Sequence, residues 1–245
     1  KHLFFNKFKN FLEFDGTNFK GWQKQKDKRT VQGELEKVLS DLIEGTLKII
    51  GCCRTDSGVH ALNYVCNVKI EGNLKLKFEK LKSALNSILS EDVYIKNIEF
   101  VNDNFNARYN AKFKVYRYRI LTYPSPFLIR YGFYPKIKID FEKLKEIEGI
   151  FIGKRDFRSI SAKSEKCGIC NVFESYWIYN DSYYDYFIKA DRFLYKMVRS
   201  IVGLMILYSL NKVSKEEIIE IFEFKRKFIP YVVASKGLTL IEVGY

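Results

Sequence analysis

From Lys112 to Thr122, Phe113, Val115, Arg117 and Arg119 alternate with Lys114, Tyr116, Tyr118 and Ile120. A period of two sustained over that length is a β-strand whose faces meet different surroundings, and a chain with such a strand near its middle must build a sheet around it. Shorter apolar segments predict further strands at Lys9–Phe14, Leu47–Cys52, Leu62–Ile70, Val93–Phe100, Val172–Tyr179, Tyr184–Ala190 and Leu238–Val243. Helical spacing interrupts them. Apolar residues at 31, 35, 38, 39 and 42 predict a helix over Thr30–Leu42, with Thr30 as a capping candidate. Further helices are predicted over Phe78–Leu89, Phe141–Ile150, Leu194–Leu210 and Ser214–Phe224. Strands and helices mix without strict βαβ alternation, which predicts an α+β fold with an antiparallel sheet. A proline-containing segment, Tyr123–Ile139, reads as the connection between an amino-terminal half, 1–122, and a carboxy-terminal half, 123–245.

Hydrophobic residues make up 47% of the chain, enough for a substantial core and too many for a disordered protein. The longest apolar run, Ile201–Leu210, falls well short of the roughly 20 residues that a membrane-spanning helix needs. The segment from Lys1 to Lys7 starts basic, but its apolar part is too short for a secretory signal. Lys1 stands where an initiating Met is usual, which reads as a trimmed start. Five cysteines, an odd number without framework spacing, predict a reduced, cytoplasmic protein.

Against 29 acidic residues stand 42 Lys and Arg, a formal charge of +13 that points to an anionic partner, most simply nucleic acid. A Lys-, Asn- and Tyr-rich composition accounts for part of it. The charge is concentrated between Asn104 and Ile139, where eight Lys/Arg (108, 112, 114, 117, 119, 130, 136, 138) and ten Phe/Tyr are interleaved with no Asp or Glu. Cations neutralise phosphates and aromatic faces stack on unpaired bases, so the mixture suits RNA or single strands. A solvated strand face with core aromatics behind it has the same composition.

Asp15-Gly16-Thr17 after a strand resembles the opening of aspartyl-phosphate hydrolases, but Glu13 holds the nucleophile's position. Its longer arm would misplace the attacking oxygen, so that chemistry is excluded. Cys167-Gly168-Ile169-Cys170 is a lone CxxC without a second ligand pair, so no metal is expected.

The sharpest pattern is Arg54-Thr55-Asp56-Ser57-Gly58-Val59-His60-Ala61, a carboxylate on a Gly-containing turn between two strands. Loop tips on a rigid scaffold are common sites for nucleophiles, and Arg54 places a cation beside Asp56. Taken alone, the pattern is equally a hairpin turn in which Asp56 caps its own backbone. Arg199 lies in a helix that is apolar almost all round, which implies deep burial, and a buried guanidinium needs an anionic partner. Pairing with Asp56 would hold that carboxylate ionised and nucleophilic, although a purely structural ion pair would satisfy both groups as well.

These residues, Arg54 to Ala61, resemble the signature of the tRNA pseudouridine synthase A (TruA) family. The resemblance extends from Glu13-Phe14-Asp15-Gly16-Thr17-Asn18-Phe19-Lys20-Gly21-Trp22 and Val31-Gln32-Gly33-Glu34 through Phe105-Asn106-Ala107-Arg108, Tyr116-Arg117-Tyr118, Gly153-Lys154-Arg155-Asp156-Phe157 and Phe193–Arg199 to Gly237-Leu238. It implies two related halves sharing one extended, mainly antiparallel sheet with packed helices and a cleft between the halves. It also implies a homodimer without cofactor or metal that isomerises uridine at tRNA positions 38–40, in the anticodon arm. By position, Asp56 matches the nucleophile and Tyr116 the residue that stacks on the flipped base and assists removal of the C5 proton. Arg199 matches the partner of the nucleophile, Arg54 the arginine that displaces the base, and Leu238 an apolar contact to the uracil. Two positions depart from the pattern: Cys53 replaces a Gly and Ser57 an Ala. Two other classes are kept alongside, a non-catalytic tRNA-binding or folding protein and a metal-dependent hydrolase using Cys167 and Cys170. Retention of Asp56, Tyr116 and Arg199 favours the enzyme, because binding a polyanion does not call for a carboxylate.

Overall fold

The computed structural model describes residues 7–163, 166–225 and 228–245. The basic amino-terminal residues 1–6, His2 among them, lie outside the described residues. The chain divides into two compact units, Lys1–Lys112 with Leu240–Tyr245, and Phe113–Thr239. Strands pair antiparallel in both and helices pack on them, the α+β class expected.

In the first unit β1 (Lys7–Phe14) lies between β3 (His60–Leu74) and β4 (Val93–Phe100), and β2 (Ile43–Gly51) takes the other edge of β3. Alternation along β1 buries Phe8, Asn10, Leu12 and Phe14. Over them pack α1 (Val31–Asp41) and α2 (Leu81–Ile88), which bury Leu35, Leu39, Leu81 and Leu85. The α1 cap is the expected one: the Thr30 hydroxyl accepts the Gly33 amide at 3.3 Å. Asn86 on α2 bonds both the amide and the carbonyl of Ile95 at 2.7 and 2.9 Å, supplying to β4 what a neighbouring strand would.

In the second unit the strand order is β5 (Phe113–Leu121), β8 (Tyr183–Ala190), β7 (Ile169–Asn180), β6 (Gly153–Asp156). The alternation read from the sequence holds along β5: Lys114, Tyr116, Tyr118 and Ile120 are buried, and the opposite face is half-exposed. On the buried face lie α3 (Phe141–Ile147) and α4 (Met197–Ser209), with the Trp177 indole donating to Met205 Sδ at 3.2 Å. The other face, with Tyr176 stacked on Phe187 and Ile178 beside them, is uncovered within the unit. Last comes α5 (Lys215–Phe222), closed by a reciprocal capping box between Ser214 and Glu217.

Two elements differ from the reading of the sequence. The long apolar helix starts at Met197 rather than Leu194, because Lys196 takes a left-handed conformation (φ 58°) that stops the helix there. The four-residue β6 was not foreseen: Gly-Lys-Arg-Asp has no apolar period and is a strand only through its pairing with β7.

Candidate active site

In the first unit Asp56 and Arg54 share one loop between β2 and β3, Arg54 exposed and Asp56 half-buried. The turn is hydrogen-bonded, Val59 N–H donating to the Asp56 carbonyl at 3.2 Å. The turn's backbone is held by a second loop, 15–23. Trp22 N–H donates to the Thr55 carbonyl, and Gly58 N–H to the Phe19 carbonyl, each at 3.3 Å. The Ser57 hydroxyl reaches the same Phe19 oxygen at 3.2 Å. Gly21, at φ 87°, lets the strands of chain approach this closely: a Cβ there would lie 2.3 Å from the Thr55 oxygen. Asp56 is thereby set on a braced backbone rather than a free tip.

The same loop explains the Asp-Gly-Thr motif. Asp15 Oδ1 accepts the Thr17 amide at 2.9 Å and the Thr17 hydroxyl at 2.5 Å, an end cap for a short 3-10 turn. His60, buried at the start of β3, accepts the Gly16 amide on Nδ1 at 3.0 Å and ties the motif to the signature. Behind them Trp22 stacks on Tyr64 at 4.1 Å, and the Tyr64 hydroxyl donates to the Cys53 carbonyl. Of the two departures, Cys53 is accommodated: it is not among the residues with positive φ, so no glycine is needed there. Ser57 adds a side-chain hydrogen bond that Ala has no atom to make.

Tyr116, Arg199 and Leu238 belong to the second unit. The ring of Tyr116, on the buried face of β5, meets Phe193 edge-on at 5.1 Å. Arg199 sits in the first turns of α4 and is half-buried, less deeply than the apolar sequence around it suggested. Its Nε donates to the Val233 carbonyl at 2.7 Å, and Val233 N–H to the Arg199 carbonyl at 3.4 Å. Burial pushes the Tyr118 phenol well above its usual range, against a smaller opposing pull from Arg199. The Tyr118 hydroxyl donates to the Ala234 carbonyl at 2.7 Å. Leu238 is buried at the start of β9 (Leu238–Gly244), and Gly237 before it leaves room for β5, since a Cβ would lie 2.7 Å from Tyr118 Cζ.

The eight cations of the 104–139 stretch are not equivalent. Arg119 is bound to Asp185 through both Nε and Nη2, at 2.8 and 2.7 Å, so the carboxylate missing from its own segment comes from β8. Lys114 is buried, and desolvation lowers the Arg117 pKa. Arg108, Lys112, Arg130, Lys136 and Lys138 are exposed, as is Phe127 at 89%. Among the described residues no group of three His, Cys, Asp or Glu side chains is placed to hold a metal ion. Of the CxxC pair, Cys167 is exposed, while Cys170 is buried and its thiol is pushed up to about 12. No helix among the described residues is long and apolar enough to cross a membrane.

Phe19 and Gly21, which hold the Asp56 loop, entered the sequence reading only as part of the matched motif, and Ser57 only as a departure from the signature; none was singled out for this bracing. A family profile described as tRNA pseudouridine synthase matches residues 11–110 and 149–245. The chain is 40% identical over 235 residues to tRNA pseudouridine synthase A of Aquifex aeolicus, covering 95% of this chain and 96% of that one. It is 40% identical over 238 residues to the protein of the same name from Dictyoglomus turgidum, covering 96% and 97%. It is 37% identical over 246 residues to tRNA pseudouridine synthase A 2 of Bacillus cereus, covering 98% and 100%. With the profile matching both sides of the chain and relatives aligned over nearly their full lengths, this chain belongs to the tRNA pseudouridine synthase A family of isomerases.

Proposed function

We propose that this protein converts uridine to pseudouridine in tRNA, at positions 38–40 of the anticodon arm, with Asp56 as the nucleophile. The observation that carries the reading is the bracing of the Asp56 loop by the main chain of Phe19 and Trp22. A nucleophile must be held to within a fraction of an ångström, and a turn that only reverses the chain has no need of such support.

In this reading the uridine leaves the stack at a cost of a few kcal/mol, offset by stacking and phosphate contacts. Arg54 helps displace the base, Tyr116 stacks on it, and Leu238 packs against the uracil. Asp56 attacks the nucleotide, the C1′–N1 bond breaks, the base turns, and C5 bonds to C1′ as Asp56 is released. The C5 proton leaves with help from Tyr116 and N1 takes a proton, so the reaction is an isomerisation. No electrons are exchanged with a second molecule, and the chemistry calls for no redox group.

The protein acts as a homodimer in the cytoplasm. Supporting a second copy is the uncovered sheet face of the second unit, where Phe173, Tyr176 and Ile178 are exposed. The test is to incubate the enzyme with unmodified tRNA transcripts carrying uridine at 38, 39 and 40 and to map pseudouridine by carbodiimide adducts and primer extension. New stops at those positions are expected; stops elsewhere alone, or none, would overturn the reading.

A further inference from the structure

On the flank of the Asp56 loop, within the first unit, lies a pocket of about 170 Å3 whose lining includes Trp22, Gln23, Gln32, Cys53, Arg54 and Arg108. No acidic residue is among the described lining residues, and two of them carry guanidinium groups. Arg54 comes from the loop itself. Arg108 comes from the turn at 106–110, whose backbone is held from several sides.

Asn67, buried on β3, accepts the Ala107 amide at 2.8 Å, and the Tyr245 hydroxyl donates to the Ala107 carbonyl at 2.7 Å. Asn106 Oδ1 accepts the amides of Arg108 and Tyr109 at 3.0 and 3.1 Å, and Asn110 Oδ1 that of Asn106 at 2.6 Å. So much fixing of one turn, by a core asparagine and the chain's last residue, leaves the Arg108 side chain itself exposed. The pocket wall is equally ordered: the buried Gln32 accepts from Gln23 Nε2 at 2.8 Å and from Lys24 N–H at 3.1 Å.

Guanidinium is a rigid planar fork that matches a phosphate in a bidentate way, and two of them on one pocket, without a lining carboxylate, suit a phosphodiester. We infer that this pocket binds a backbone phosphate of the RNA substrate, beside the nucleotide delivered to Asp56, and that Arg108 contributes a contact from outside the signature loop. The inference rests on the proposed function for the identity of the RNA.

The test measures tRNA affinity against salt for the wild type, Arg108→Gln, Arg108→Lys and, as a control, Lys37→Gln, an exposed lysine on α1 away from the pocket lining. Losing one phosphate contact should flatten the slope of log K against log salt by about 0.7–0.9 in Arg108→Gln. Affinity near physiological salt should fall by about tenfold. Arg108→Lys should recover the slope and part of the affinity, because charge returns without the fork. Lys37→Gln should match the wild type. Ethylation of tRNA phosphates should reveal one position that weakens binding to the wild type more than binding to Arg108→Gln. An unchanged slope in Arg108→Gln, the same change in Lys37→Gln, or identical ethylation patterns would each overturn the inference. Failure of the proposed function is separate: a wild type that makes no pseudouridine but shows these slopes would retain the phosphate site and lose the chemistry.

Discussion

Gly21 is constrained twice over, by its backbone angle and by close approach to the loop that carries Asp56. Its φ of 87° and the 2.3 Å approach of its missing Cβ to the Thr55 oxygen leave no relaxed position for a side chain. Gly21→Ala should cost about 2 kcal/mol or more, seen as a lower urea midpoint, with activity falling further than stability because the loop carrying Asp56 must shift. An alanine variant as stable and active as the wild type would remove the brace from the account. The octapeptide around Asp56 is distinctive in the sequence, and it is what singles out this carboxylate as the candidate nucleophile. Ser57 was legible only as a departure: its hydroxyl finds the Phe19 oxygen across 38 positions of sequence, a contact that no local pattern announces. Likewise, Asp185 answers Arg119 from another strand, so an acid-free stretch read along the chain overstated the charge available to RNA.

At the scale of elements, periodicity served where burial is one-sided. The alternation in β5 and the 3.6-residue pattern of α1 gave the correct faces because each meets core on one side and water on the other. It failed where one residue's backbone decides, as Lys196 does at the start of α4, and where pairing alone makes a strand, as in β6. At the start of α5, Ser214 and Glu217 form a full capping box that no expectation from the sequence included. Ser214→Ala should therefore lower stability by about 1 kcal/mol in denaturant titration, and Ser214→Asp should restore most of it. Equal stability of the alanine variant would mean that α5 is held by packing of Ile218 and Ile221 alone.

For the whole molecule, both units bury acids that ionise more readily once unfolded. Burial pushes the Cys66 thiol up to about 12 and the Tyr64 and Tyr118 phenols well above their usual 10. The folded chain keeps these protons while the unfolded chain releases its own, so stability should fall as pH rises, above about 9 for the thiol and above about 10 for the phenols, by roughly 1.4 kcal/mol per pH unit for each group past that point. Urea midpoints at pH 8 and pH 10.5 check this; equal midpoints would contradict it. The proposed role of Asp56, opening the glycosidic bond, has a narrower test. Tritium release from C5-labelled uridine in tRNA reads that step directly, because the label leaves only when C5 becomes bonded to C1′. The wild type should release tritium over many turnovers. Asp56→Asn should release none above background while binding tRNA with similar affinity. Tritium release by Asp56→Asn at the wild-type rate, or none from a wild type that binds the tRNA, would contradict the account.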